Sequence, residues 1–266
     1  QAAQVMAAEE NYGRVVDLWE RHPFLAANLA RLDPEARMGL SLSYWKKGDV
    51  VKALALAKPF LENIKNDKLS QMAVNLALSI YLDNSAWSDI VALAENPGVA
   101  QLPEKQRREV NYAHALALVS LGEKAKSKPI WAKLAATPDL DPGQRAYALF
   151  YLARFAGEED NLQNQYLYAQ EALSLFLQAK TRDDEKIRDT LSMLMDVTQR
   201  AGRLEDAMRW ADELGKFVPV TDSHWPAYRF RLADIRKAMN DQAGWKKILE
   251  DLIAKAPDSI QARLAR

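Results

Sequence analysis

The sequence predicts an all-α fold, a solenoid of stacked antiparallel helix pairs, and three observations carry that expectation. Apolar residues recur three and four positions apart over stretches of about 12 to 18 residues, the spacing that gathers them on one face of a helix. Runs of alternating β-branched residues, which would mark strands, are missing, and glycine is only 10 of 266 residues. Short polar breaks bearing Gly or Asn return at a nearly constant interval, and such a period marks a repeat architecture.

The stretch "RAGRLEDAMRWADELGKFVP" (200–219) shows how one unit is built. Leu191, Leu194, Met195 and Thr198 form an apolar stripe ahead of Gly202, and Leu204, Ala207, Met208, Ala211 and Leu214 form another after it. Two amphipathic helices joined by so short a turn lie antiparallel and share their apolar faces. Gly202 can adopt the left-handed conformation that ends the first helix, and Pro219 cannot continue the second.

In chain order, the same unit recurs. "AAEENYGRVVDLWERHP" (7–23) reads as a copy cut at its start. "SYWKKGDVVKALALAKPFLE" (43–62) turns at Gly48-Asp49 and places Ala53 five residues after the glycine, the step from Gly202 to Ala207. "YLDNSAW" (81–87) turns at Asn84. "ALALVSLGEKAKSKPIWAKLAATPD" (115–139) turns at Gly122, with Trp131 nine residues on, expected in the packed interior, and Pro138 at the close. "RFAGEEDN" (154–161) turns at Gly157. "KAMNDQAGWKKILEDLIAKAPDS" (237–259) turns at Asn240, with Pro257 seventeen residues later, as Pro219 follows Gly202. "SIQARLAR" (259–266) is again helix-forming. These turn residues stand 36, 38, 35, 45 and 38 residues apart, and the polar run "AKTRDDEK" (179–186) is expected to absorb the excess of the 45. The expected organisation is a single domain over 1–266 of about six to seven helix pairs, cut from a longer array.

A turn glycine often followed by an acid, Ala five later, an aromatic or apolar residue nine later and Pro at seventeen resemble the tetratricopeptide repeat. Ser127 and Trp245 depart from it, standing where the family prefers a small Ala, and the spacing exceeds the family's period of about 34. The resemblance implies a right-handed superhelix whose concave side is lined by the first helix of each pair. It also implies that the residues facing that side lie roughly three, six and ten positions before each turn. That register selects Leu42 and Trp45, then Tyr112 and Leu116, then Tyr147, Tyr151 and Arg154. Further on it selects Ser192, Asp196 and Gln199, then Phe230, Asp234 and Lys237, with Arg200 and Arg231 beside them.

Composition narrows the function classes. Thirty-six Lys and Arg balance thirty-six Asp and Glu, whereas a phosphate-backbone reader shows a basic excess. Cysteine is absent, which removes disulfides, thiolate nucleophiles and Cys-based zinc sites. No stretch approaches the roughly 18 consecutive apolar residues of a membrane span. The start, Gln1 to Met6, lacks the basic and apolar blocks of a signal peptide and reads as a mature or cut end. His22, His114 and His224 are far apart, with no paired-ligand spacing, and His114 falls on an apolar helix phase. "GEED" (157–160) and "RDDE" (182–185) lack the ligand alternation of a calcium loop and read as acids at helix starts.

No catalytic residue, metal or cofactor is therefore expected. The resemblance implies a non-enzymatic scaffold that binds a peptide segment or partner subunit. Its partner-binding residues would be Tyr112, Tyr147, Tyr151, Arg154, Asp196, Gln199, Arg200, Arg231, Asp234 and Lys237. The family also implies a bacterial envelope, secretion or appendage assembly, with a periplasmic or envelope address ahead of a cytoplasmic one. The alternatives are a cytoplasmic regulatory adaptor and a helical-repeat RNA-binding protein.

Overall fold

The computed structural model describes residues 11–22, 24 and 32–266. Residues 1–6, read above as a mature or cut end, and residues 7–10 and 23 of the first fragment lie outside the described residues. Among the described residues there are fourteen α-helices and no strand, as the sequence predicts. They are α1 (Tyr12–Glu20), α2 (Pro34–Lys46), α3 (Val50–Glu62), α4 (Lys68–Asp83), α5 (Trp87–Ala94), α6 (Glu104–Ser120) and α7 (Lys124–Ala135). Then follow α8 (Pro142–Glu158), α9 (Leu162–Gln178), α10 (Asp184–Arg200), α11 (Leu204–Gly215), α12 (Trp225–Ala238), α13 (Gln242–Lys255) and α14 (Ile260–Ala265). From α2 onward they form six pairs, α2/α3 to α12/α13. The chain divides into two compact units, residues 1–130 and 131–266, with the boundary inside α7.

One backbone motif closes every pair. Gly48, Ser85, Gly122, Asp160, Gly202 and Asn240 all have positive φ, from 52° to 86°. The next residue's N–H reaches back five residues to a helix carbonyl: Asp49 to Tyr44, Ala86 to Tyr81, Glu123 to Leu118, Asn161 to Ala156, Arg203 to Thr198 and Asp241 to Arg236, at 2.7–3.0 Å. This left-handed closure satisfies carbonyls that a helix end otherwise leaves open. At three turns the residue after it starts the next helix: Asp49, Asn161 and Asp241 each accept a backbone N–H three residues on.

Two turns differ from the sequence expectation. The left-handed residue of the second pair is Ser85, not Asn84, whose side-chain amide instead donates to Ile80 O at 2.7 Å. Gly157 is not a turn residue but lies inside α8, and Asp160 makes the turn. A Cβ at 157 would sit 2.6 Å from Gln165 Nε2 and 2.8 Å from its Cδ, so the buried Gln165 amide would have to move for any other residue. "GEED" consequently lies at the C-terminal end of a helix, while in "RDDE" Asp183 does cap α10 by accepting from Lys186 N at 3.0 Å. With the observed turn residues the intervals become 37, 37, 38, 42 and 38. The long interval is filled by the seventeen-residue α9, against 8 to 14 residues in the other second helices, and not by the 179–186 run. Pro219 also stands clear of its helix: α11 ends at Gly215, where Lys216 and Phe217 N–H turn back to Glu213 and Leu214 carbonyls.

In the 1–130 unit, Val15, Met38, Tyr44, Ala53 and Leu76 belong to one buried cluster, and Val74, Ile90 and Val110 to a second. Ser41 Oγ donates to Ala53 O at 2.7 Å between α2 and α3, and Ser127 Oγ donates to Ala115 O at 2.9 Å between α6 and α7. Both hydroxyls are fully buried, so Ser replaces the small Ala at no cost in unsatisfied polarity. The 131–266 unit has a single buried cluster running from Ala146 to Ala262. Here Trp131, fully buried, stacks on Tyr151 with ring centroids 4.9 Å apart and planes 16° from parallel.

Candidate partner-binding face

In the 131–266 unit the first helices α8, α10 and α12 carry nine of the ten predicted residues. Tyr112 is half-buried on α6 in the other unit. Moving the turn from Gly157 to Asp160 shifts the register on α8 by three residues. It now selects Phe150, Arg154 and Gly157, so Arg154 keeps its place while Tyr147 and Tyr151 leave it. Both tyrosines are half-buried and held by the fold. Tyr147 hydroxyl bonds the Asp183 carboxylate that caps α10, and its ring meets Phe176 edge-on at 5.3 Å. Burial, reinforced by that carboxylate, pushes the phenol far above its ordinary range. Tyr151 lies between Trp131 and Phe150, and burial raises its hydroxyl pKa as well. Arg154 is exposed, its guanidinium 5.9 Å from the Tyr151 ring centre.

Asp196, Arg200 and Arg231 come together in one ladder. Arg231 Nη1 donates to Ser192 Oγ at 3.0 Å and Arg231 Nη2 to Asp196 Oδ1 at 3.3 Å. Arg200 Nη1 reaches Asp196 Oδ2 at 3.5 Å, and its other nitrogen pairs with Asp160 in the preceding turn. Gln199 is half-buried, one turn along from Asp196. Asp234 and Lys237 are exposed on α12, with Lys237 Nζ 5.0 Å over the Trp245 ring.

Beside this ladder, between α10 and α12, a cleft of about 400 Å³ opens. Buried Met195, Leu214 and Val218 form its apolar floor, and Arg188, Tyr228 and Arg231 are among its polar walls. Arg188 Nη1 pairs with Asp222 Oδ2 at 2.6 Å, and Asp222 also accepts from the backbone and ring nitrogens of His224 at 2.8 and 2.9 Å. The His224 backbone N–H and ring together hold the Asp222 carboxyl below its ordinary range, with Arg188 adding to the effect. A polar rim over an apolar floor is the construction of a peptide pocket.

Arg188, Asp222 and Tyr228 were not singled out from the sequence, and Asp160 was read only as one of the acids of "GEED" at a helix start. For Asp160, Arg188 and Asp222 the signal is a complementary polar type about one repeat away, 34 residues for Arg188–Asp222 and 40 for Arg200–Asp160, as it is 36 for Tyr147–Asp183; Tyr228 carries no such signal. His114 is half-buried on α6, where burial lowers its pKa. Among the described residues, no group of three or more His, Asp or Glu side chains is arranged to hold a metal ion, and no helix is long and apolar enough to cross a membrane.

This fold is that of tetratricopeptide-repeat proteins, an all-α helical-repeat solenoid. It is similar to the C-terminal part of a TPR repeat-containing protein from Cytophaga hutchinsonii, with a TM-score of 0.66, 10% identity, and 99% of this chain and 98% of that chain covered. It is similar also to PilW, a widely conserved type IV pilus biogenesis factor, with a TM-score of 0.54, 16% identity and coverage of 87% and 97%. A third similar chain is BtubC from P. vanneervenii, with a TM-score of 0.50, 14% identity and coverage of 97% and 92%. No family model and no curated protein sequence matches the chain.

Proposed function

We propose that this protein is a non-enzymatic protein-interaction scaffold, a single domain over 1–266, that holds a peptide segment or partner subunit on the face of its first helices. The observation that carries the reading is the Asp160–Arg200–Asp196–Arg231 ladder beside an apolar-floored cleft. A partner backbone can exchange hydrogen bonds with such a ladder while an apolar side chain enters the cleft, and Arg and Tyr at the rim suit binding hot spots. Exposed Arg154 and Lys237 extend the same face. An envelope assembly is the setting we favour, because a type IV pilus biogenesis factor shares the fold.

Affinity capture from the native cell tests the reading. The variant Arg154→Glu with Lys237→Glu changes only exposed side chains on this face. It should lose captured partner at least tenfold, about 1.4 kcal/mol, with its melting unchanged. Capture equal to wild type would remove this face from binding.

A further inference from the structure

His114 is the histidine that falls on an apolar helix phase, and the first-helix face of residues 131–266 makes no use of it. It stands on α6 four residues after Val110 and three before Ala117, on the same side of the helix. Those two residues are buried in the cluster that joins α6 to Ile90 and Leu93 of α5 and Val74 of α4. The His114 ring is half-buried at the edge of this contact. Its Nε2 is shut off from solvent and has no hydrogen-bond partner among the described residues.

That placement suits only the neutral ring. A neutral imidazole carries one N–H, whereas the imidazolium carries two, and the shut-in nitrogen would then hold a charged N–H with no acceptor. Burial accordingly lowers the His114 pKa, with Lys126 acting the same way and Glu95 and Glu123 opposing it. Glu95 is exposed at the C-terminal cap of α5, and Glu123 lies in the turn before α7, where it pairs with Lys126 at 2.5 Å. The two carboxylates outnumber the one ammonium that acts on the ring, so an imidazolium turned outward gains a counter-charge that the inward position lacks. From α4 the titratable residue at the cluster is Tyr81, with Asp89 of α5 acting on it; burial raises that phenol, which stays neutral as the histidine titrates.

We propose that His114 is a proton-driven latch of the 1–130 unit: neutral and turned inward it holds α6 against α5, and on taking up a proton below neutral pH its ring turns out to Glu95 and Glu123 and loosens residues 87–120. The inward form binds the proton less well than the opened one. Its advantage is therefore full above the ordinary histidine midpoint of about 6.5 and shrinks as pH falls below it. A single histidine changes that opening equilibrium by at most about tenfold between roughly pH 7.5 and 5.5.

Two measurements on the whole chain test the latch. Proton NMR follows the ring signals of the three histidines through a pH titration, with His114 assigned through its backbone. Its midpoint should lie below about 6.5. Glu95→Gln, a change at an exposed residue, should lower that midpoint further, because the acid favours the charged ring. Hydrogen exchange, corrected for its intrinsic pH dependence, reads the opening itself. Protection in peptides across 87–94 and 104–120 should fall about three- to tenfold from roughly pH 7.5 to 5.5 in wild type. It should stay level in His114→Gln, with His114→Asn as a second neutral replacement should the first fail to fold. The proposal is overturned if the His114 midpoint is at or above about 6.5, or if Glu95→Gln leaves it unchanged. It is overturned also if the neutral replacements lose protection as wild type does, or if wild type loses none.

Discussion

Trp131→Ala probes the interior of the 131–266 unit at its largest fully buried side chain. The indole is 0% exposed and lies flat against Tyr151, which meets Phe150 edge-on at 5.3 Å. Removing a buried Trp costs about 3–5 kcal/mol through lost transfer energy and the cavity left behind. The stacked partner adds about 0.5–1.5 kcal/mol, which holds the expectation at the upper end. At roughly 2–4 °C per kcal/mol for a chain of this size, melting should fall by about 6–20 °C. Urea unfolding followed by far-ultraviolet circular dichroism gives the free energy, and Trp131→Phe serves as the control that keeps an aromatic face for Tyr151. Tyr151→Ala should also destabilise, by about 3 kcal/mol or more, as expected for a packed ring and not for a surface residue. A loss under about 1 kcal/mol for Trp131→Ala would refute the packing described for this pair.

Three further outcomes follow from the turns and caps. Ser85→Gly should stabilise by about 0.5–1 kcal/mol, because relief of a left-handed serine exceeds the entropy cost of glycine, while Asn84→Gly should destabilise; equal signs in urea unfolding would contradict the turn assignment. Gly157→Ala should destabilise although Ala is favoured over Gly in a helix by about 0.8–1 kcal/mol, and the sign should reverse in a Gln165→Ala background. A double-mutant cycle with no coupling would mean that Gln165 does not occupy that space. Asp222 has a depressed folded-state pKa, so its contribution is present above the ordinary carboxylate pKa and is lost as pH falls through the folded value. Wild type should therefore exceed Asp222→Asn in stability at neutral pH, with the gap closing below about pH 4; a constant gap from pH 7 to pH 3 would contradict the linkage.

The helix pairs were legible because their cause is local. Gly48, Gly122, Gly202 and Asn240 are residue types that tolerate positive φ, and each stands at the end of an apolar stripe. Ser85 and Asp160 were not legible because each has a better left-handed candidate beside it, Asn84 and Gly157. Gly157 instead lies inside a helix that runs on to Glu158, with the Gln165 side chain packed over it. That error of three residues carried into the candidate face. It drew Tyr147 and Tyr151 into the register, although Asp183 and Trp131 hold them from other elements. The Asp196–Arg200 pair is four residues apart on one helix and so could be read directly, whereas its links to Asp160 and Arg231 depend on how successive first helices stack.

Hydrogen exchange with a captured partner bound tests the proposed first-helix scaffold most directly. The account predicts added protection in peptides spanning 150–157, 192–200 and 230–237, on α8, α10 and α12. Protection confined to α9 and α11, with those three segments exchanging as in the free protein, would contradict it.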